Sequence, residues 1–260
     1  MINLIQSDFY RALHSNTIKI LFAVTSIFAT VLIVCTHLMA EGTLSNAFFS
    51  LLFVASDMTI MSLVGTVLAV HMIGGEFEAR NMQHLVTSGH SRVKIVISKA
   101  ITYCTMFALI TSTYYIAATI SFVLDLNFQA GAELVGIMVL VQNKELFDLS
   151  KGIILLAVVA LVYIGQLSTT VLLAFIFKKP SLVMPIFYFI SVSSGQIAIY
   201  REQIGDAANI LNLTPFAPDY ISITASTDHS TLIAAAFTSL AYSVAIAAIT
   251  CLYFNKREVK

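Results

Sequence analysis

The sequence predicts an all-α integral membrane protein with six transmembrane helices, and three observations carry that prediction. Hydrophobic residues make up 58% of the chain and charged ones 11%, with a mean hydropathy of +0.88, outside the composition of soluble domains. Six apolar runs reach or approach the roughly 20 residues that cross about 30 Å of hydrocarbon. They are Ile20 to Met39, Phe48 to Ile73, Ile101 to Leu124, Ile153 to Phe177, Leu182 to Ile199 and Leu232 to Phe254. The third observation is that the lysines and arginines crowd into alternate connections. The formal net charge of zero gives no bulk electrostatic reason to expect nucleic acid or an acidic substrate.

Before the first run, Ile2, Ile5, Phe9 and Leu13 recur at helical spacing, with Asn3, Gln6, Asp8 and Arg11 on the other face. This predicts a helix within residues 1–17 that lies in the membrane interface and leads into the bilayer. The segment is too polar for a signal-peptide leader and no small-residue cleavage site follows, so the first run is expected to be retained. The second run is long enough to tilt or kink. The fifth is the shortest, and Pro180 and Pro185 at its start predict a broken first turn. Residues 125–151 read as a polar loop with a small packed helix over Leu134 to Val141. In the connection 200–231, the stretch NILNLTPFAPDYISI at 209–223 is apolar and aromatic but too short and Pro-interrupted to span. It predicts a re-entrant segment before the last helix, folded back against the bundle. No repeat or low-complexity linker divides the chain, so residues 1–260 form one domain.

With the N-terminus inside, the cytoplasmic segments hold Arg11, Lys19, Arg80, Arg92, Lys94, Lys99, Lys178, Lys179, Lys256, Arg257 and Lys260, eleven of the 14 Lys and Arg residues. The external segments hold Lys144, Lys151 and Arg201. The positive-inside rule then puts both termini in the cytoplasm and the chain in a cell membrane as a multi-pass protein, with a bacterial cytoplasmic membrane expected. Cys35, Cys104 and Cys251 all fall inside apolar runs, where they read as small hydrophobes.

Residues 74–99, GGEFEARNMQHLVTSGHSRVKIVISK, gather charge between two apolar runs. Glu76 to Ser88 predicts a short helix with Ala79, Met82, Leu85 and Val86 on one face, stopped by Gly89. Ser91-Arg92 and Lys94 to Lys99 then bring positive charge to the membrane surface at the start of the third run. The order Glu76-Phe77, Asn81, Leu85, Gly89-x-Ser91-Arg92 and Lys99 resembles the connection after the second helix in ABC-2-type transporter permeases, including those of bacteriocin or antimicrobial-peptide export or immunity type. That family commonly carries Gly-Thr where this chain has Arg80-Asn81.

The resemblance implies a permease subunit that pairs with a second permease copy, identical or homologous, and with two copies of a cytoplasmic ATP-binding subunit. ATP and magnesium would belong to that partner. It also implies that the region 76–92 is a cytoplasmic coupling helix, with Glu76, Glu78, Arg80, His84 and Arg92 supplying polar contacts to the ATPase and Met82 and Leu85 apolar ones. The bland reading of the same residues is a solvated loop that anchors at the interface.

Asp57 is the ionisable residue deep in an apolar run, and an intramembrane carboxylate costs about 2.5 to 3.5 kcal/mol on insertion scales. It reads either as part of a transport path or as a helix-packing residue close to the external surface. Ser193, Ser194 and Gln196 make a small polar surface on the fifth run, suited to close helix packing; the resemblance implies a path lined by the second and fifth helices. Gln166 and Thr169-Thr170 read as packing residues, and His37 and His71 as interfacial ones.

The chain carries no G-x-x-x-x-G-K-[ST] phosphate loop, no His-Glu-x-x-His pair and no rhomboid-type Gly before Ser194. Transport by alternating access, with export of a hydrophobic or amphipathic compound such as an antimicrobial peptide, is the expected function, and no covalent chemistry is assigned to this chain. An ATPase-independent receptor or immunity protein that binds a toxin or peptide is the alternative, ahead of an intramembrane enzyme.

Overall fold

The computed structural model describes residues 1–44, 57–124, 149–199, 210–221, 223 and 227–256. The small helix expected at Leu134 to Val141 lies outside them. Among the described residues the fold is helical throughout, without strands. Helix α1 (Ile2–His14) breaks at Ser15, whose extended backbone (φ −70°, ψ 132°) turns the chain into α2 (Asn16–Ala40). Helix α3 (Asp57–Ala69) runs on through a π-helical turn (Val70–Gly74) into α4 (Gly75–Glu78), and α5 (Asn81–Thr87) comes next. Then come α6 (Arg92–Val123), α7 (Leu149–Phe177), α8 (Pro180–Ile199), a 3₁₀ turn (Ile210–Leu213), α9 (Pro218–Ile221) and α10 (His229–Lys256).

Among the described residues, five helical stretches are long and apolar enough to cross a membrane: Asn16–Met39, Thr59–Glu78, Arg92–Ser121, Ile153–Phe177 and His229–Lys256. Helix α8 contributes a shorter apolar core, Ser181–Ser194. Its first turn is unbroken. Pro180 stands as the first helical residue, where a missing N–H costs nothing, and Pro185 is accommodated inside the helix.

Helices α7 and α6 organise the rest. The apolar stretch of α7 is 61% buried, against 22% for that of α10 and 33% for that of α2, so α7 is an inner helix and the other two turn most of their surface outward. The sequence of α7 fits that place: Val158, Val162, Leu167, Val171, Ala174 and Phe175 are buried on several sides rather than along one stripe. Its most extensive packing is against α10. Close approach is possible because residue 165 is Gly, where a Cβ would lie 3.1 Å from both Pro215 and Ser239. On the outer faces, Phe237, Val244 and Leu252 of α10 and Ile20 and Ile27 of α2 stay exposed, as lipid-facing side chains do.

Among the described residues, four neutral hydrogen-bond contacts join elements around α7. Tyr103 Oη of α6 donates to Gly65 O at 3.0 Å and lies 3.2 Å from Thr170 Oγ1. Gln166 Nε2 donates to Pro215 O at 2.9 Å, and Thr169 Oγ1 lies 3.2 Å from Tyr242 Oη. Pro215, Phe216 and Ala217 are buried between α7 and α10, so this part of the apolar 209–223 stretch is packed into the protein.

Helix α1 packs on α6, but not by the face that its apolar stripe suggests. Leu4, Asp8 and Ala12 are buried, while Ile2 and Leu13 are 70% and 45% exposed. Asp8, assigned by spacing to the polar outward face, points inward because a cation lies beneath it.

Candidate functional site

That cation is Lys99, one of the positive charges expected at the membrane surface. It is 1% exposed. Lys99 falls in phase with Ile95, Val96, Tyr103 and Met106 on the inward face of α6, so the helix that buries those residues buries the lysine too. An ammonium so placed needs charge-paired partners. Its Nζ donates to Asp8 Oδ1 and Glu76 Oε1, each at 2.6 Å, while Ser98 Oγ donates to Asp8 Oδ2 at 3.3 Å. Arg11 Nη2 also contacts Glu76 Oε1 and lies 3.7 Å from Asp8 Oδ1. Two acids and two bases thus join α1, α4 and α6 with no net formal charge.

Glu76 enters this cluster from the end of the long α3–α4 rod, just beyond the π turn. A π turn adds a residue to one helical turn and rotates the helix beyond it, and such turns are common at functional sites. The corner at Ser15 is tied to this turn through Ser15 Oγ and His71 Nε2, 2.8 Å apart.

The chain then leaves the rod abruptly. A single helix over Glu76 to Ser88 is not what forms. Arg80 takes a left-handed conformation (φ 57°, ψ 13°), which separates α4 from α5 and re-aims the second helix. Glycine adopts such a conformation without penalty, whereas the Cβ of Arg80 is carried there at a cost. The expected stop at Gly89 does form. Gly89 has φ 84°, its N–H reaches Val86 O at 3.1 Å, and His90 N–H reaches Leu85 O at 3.3 Å, a Schellman closure.

An aromatic clasp holds the same region from the other side. Phe77 lies edge-on to Phe175 of α7 and Phe254 of α10, with centroids 5.6 and 6.2 Å away, and Lys178 Nζ sits 5.6 Å from the Phe77 centroid. Arg92 Nη1 donates to the carbonyls of Phe254 and Asn255 at 3.0 and 3.1 Å, near the C-terminal end of α10. That is a natural place for a cation, since the last carbonyls of a helix lack helical partners.

The residues singled out in 76–92 therefore separate into two groups. Glu76 is 5% exposed and Met82 0%, both committed inside the protein. Leu85 packs partly on the core, and Arg92 is half-buried beside α10. Glu78, Arg80 and His84 are exposed. Elsewhere, Ser194 is buried and donates to Ile190 O at 2.8 Å, whereas Ser193 is half-buried. The side chains of Asp57 and Gln196 lie outside the described residues. Asp8, Arg11 and Lys99 do not stand out as a site in the sequence. The signal that could have found them is phase: Asp8 is in register with Leu4 and Ala12, and Lys99 with Ile95 and Tyr103.

A cavity of about 690 Å³ opens beside the ion cluster, lined among others by Asp8, Arg11, His14, Ser15, His71 and Asn81. Among the described residues, no three His, Cys, Asp or Glu side chains converge as metal ligands would. No protein-family model matches the chain, and no curated protein matches it.

Proposed function

We propose that the chain is the permease subunit of an ATP-binding cassette transporter, driven by a separate cytoplasmic ATPase through alternating access. Its substrate would be a hydrophobic or amphipathic compound, such as an antimicrobial peptide, moved outward. In this reading the chain has six spans and both termini in the cytoplasm. Helix α8, with 20 residues, is about 30 Å long at 1.5 Å per residue, enough for the sixth span. The apolar 209–223 stretch is then the re-entrant segment. A second permease copy and two ATP-binding subunits complete the assembly.

The observation that carries the proposal is the mounting of the segment after α3. Glu76 and Phe77 fasten it to α1, α6, α7 and α10, while Glu78, Arg80 and His84 remain on the surface of the same short stretch. A push on α5 from a cytoplasmic partner would therefore reach the membrane helices through stiff contacts. A merely solvated loop has no need of a buried lysine and an aromatic clasp at its root.

The test is purification of the tagged chain from its native host, followed by mass spectrometry, comparing wild type with Glu78→Ala/Arg80→Ala/His84→Ala. An ATP-binding subunit is expected with the wild type and not with the triple variant. The same subunit on both would move the docking site elsewhere. Its absence from both would overturn the transporter reading in favour of a receptor that acts without an ATPase.

A further inference from the structure

The cavity between α1 and the π turn has an accessible wall whose chemistry the coupling role does not use. At its base the charges are internal: Lys99, Asp8 and Glu76 are buried and neutralise one another with the help of Arg11. The rim differs, because the Arg11 side chain is 55% exposed. Both of its contacts with the acids run through Nη2, and the Nη1 and Nε hydrogens, which point to different sides of the guanidinium, remain as single donors. Each can donate a charge-assisted hydrogen bond to a phosphate oxygen. Ser7, His14 and Asn81 line the same space and add polar groups to it.

Exposed apolar side chains stand at and near the cavity in the chain. Tyr10, which lines it, is 66% exposed, and Leu13 and Ile20 are 45% and 61% exposed. Leu13 adjoins the lining residue His14, and Ile20 comes after the lining residue Ser15 by about a turn and a half of helix. A soluble anion would make no use of those side chains, whereas an acyl chain would cover them. The volume lies within the roughly 300 to 1,000 Å³ of small-molecule sites.

We propose that this cavity binds the phosphate of a membrane phospholipid, with Arg11 as the charged donor and an acyl chain running over Tyr10, Leu13 and Ile20. The lipid would thereby seat α1 against the end of the α3–α4 rod. The proposal needs the membrane helices but not the ATPase, and its failure would leave the transporter reading untouched.

The experiment uses the full chain, stripped of lipid in a non-ionic detergent. Phosphatidylglycerol, diacylglycerol and glycerol phosphate are added separately, with the unfolding midpoint and retained lipid measured by thermal scan and native mass spectrometry. Phosphatidylglycerol is expected to raise the midpoint and leave a retained adduct, while the other two, lacking phosphate or acyl chains, do neither. Arg11→Gln is expected to weaken retention about tenfold, the loss of a charge-assisted hydrogen-bonding pair. Because Arg11 also faces Glu76, His14→Ala serves as a second variant outside the ion cluster, with about threefold weakening from one neutral contact. Equal retention by wild type and His14→Ala, together with unchanged retention by a folded Arg11→Gln, would overturn the proposal. Stabilisation by diacylglycerol would also overturn it by removing the need for phosphate, and stabilisation by glycerol phosphate would replace the lipid with a soluble anion.

Discussion

Two sets of polar contacts in this bundle differ in kind. Around α7 the contacts are neutral: Tyr103 with Gly65 and Thr170, Gln166 with Pro215, Thr169 with Tyr242. At the root of α5 they are ionic, with Lys99 between Asp8 and Glu76. Neutral contacts between membrane helices are each worth about 0.6 kcal/mol on average and seldom more than about 2. Removing one partner of a buried ion pair costs about 3 to 5 kcal/mol, because the other charge is left stranded. The first set tunes packing that shape complementarity already favours. The second ties α1, α4 and α6 together by charge at the root of α5.

The largest effect should come from Lys99→Met. Two buried carboxylates would then share only the half-exposed Arg11, and a loss of about 3 to 5 kcal/mol is expected in thermal or denaturant unfolding of the purified chain. Adding Asp8→Leu and Glu76→Met to Lys99→Met should recover much of that loss, since a matched apolar set can replace a buried ion cluster at little cost. If the triple variant is stable but no longer copurifies with or stimulates an ATP-binding subunit, the ionic set serves coupling. If it is stable and fully active, the two regions differ in energetics alone.

Next in size is Gly165→Val. Its added carbons would meet Pro215 and Ser239, whose Cβ atoms are already 3.1 Å from where a Cβ at 165 would stand, and overpacking of that kind costs about 1 to 3 kcal/mol. A similar midpoint drop for Gly165→Ala would place the tolerance of this contact below a single methyl group.

Arg80→Gly should act in the opposite direction. A non-glycine residue in the left-handed region costs about 1 to 2 kcal/mol, so removing it should stabilise the chain by about 1 kcal/mol, less what the freer unfolded chain gives back. The same substitution should weaken copurification of an ATP-binding subunit if the guanidinium is a docking contact. Opposite signs in the two measurements would separate stability from recognition at one residue.

The smallest effect is expected from Tyr103→Phe. It deletes the hydroxyl that bonds Gly65 O and Thr170 and should cost about 0.6 kcal/mol, leaving assembly intact. A loss as large as that from Lys99→Met would erase the distinction between the two regions.

Much of the fold was legible because membrane spans announce themselves by composition and length. The apolar runs matched five stretches that suit a membrane, and Gly89 ended α5 where its chemistry said it should. The root of α5 was not legible in the same way. A lysine in the first two turns of a span reads equally as a snorkelling side chain or a buried one, and its partners lie 91 and 23 residues away. Helix α1 misled for a related reason: its apolar stripe is real, yet the buried face is the one bearing Asp8. The broken helix at Arg80 leaves no mark in the sequence, because arginine carries no propensity for the left-handed region.

By itself the sequence determined an all-helical chain with long apolar helices, the position of the polar segment between the second and third runs, and the absence of a phosphate-binding loop from these 260 residues. Those properties depend on local quantities: apolar area per residue, helical period and the turn preference of glycine. Only the tertiary structure decided that Lys99 is an internal tie, that Glu76 faces inward while Glu78 and Arg80 face outward, and that α1 closes one side of a cavity. The reason is that charge pairing is non-local. Whether an ionisable side chain is buried depends on whether an opposite charge from another helix arrives to meet it, and no window along the chain contains both.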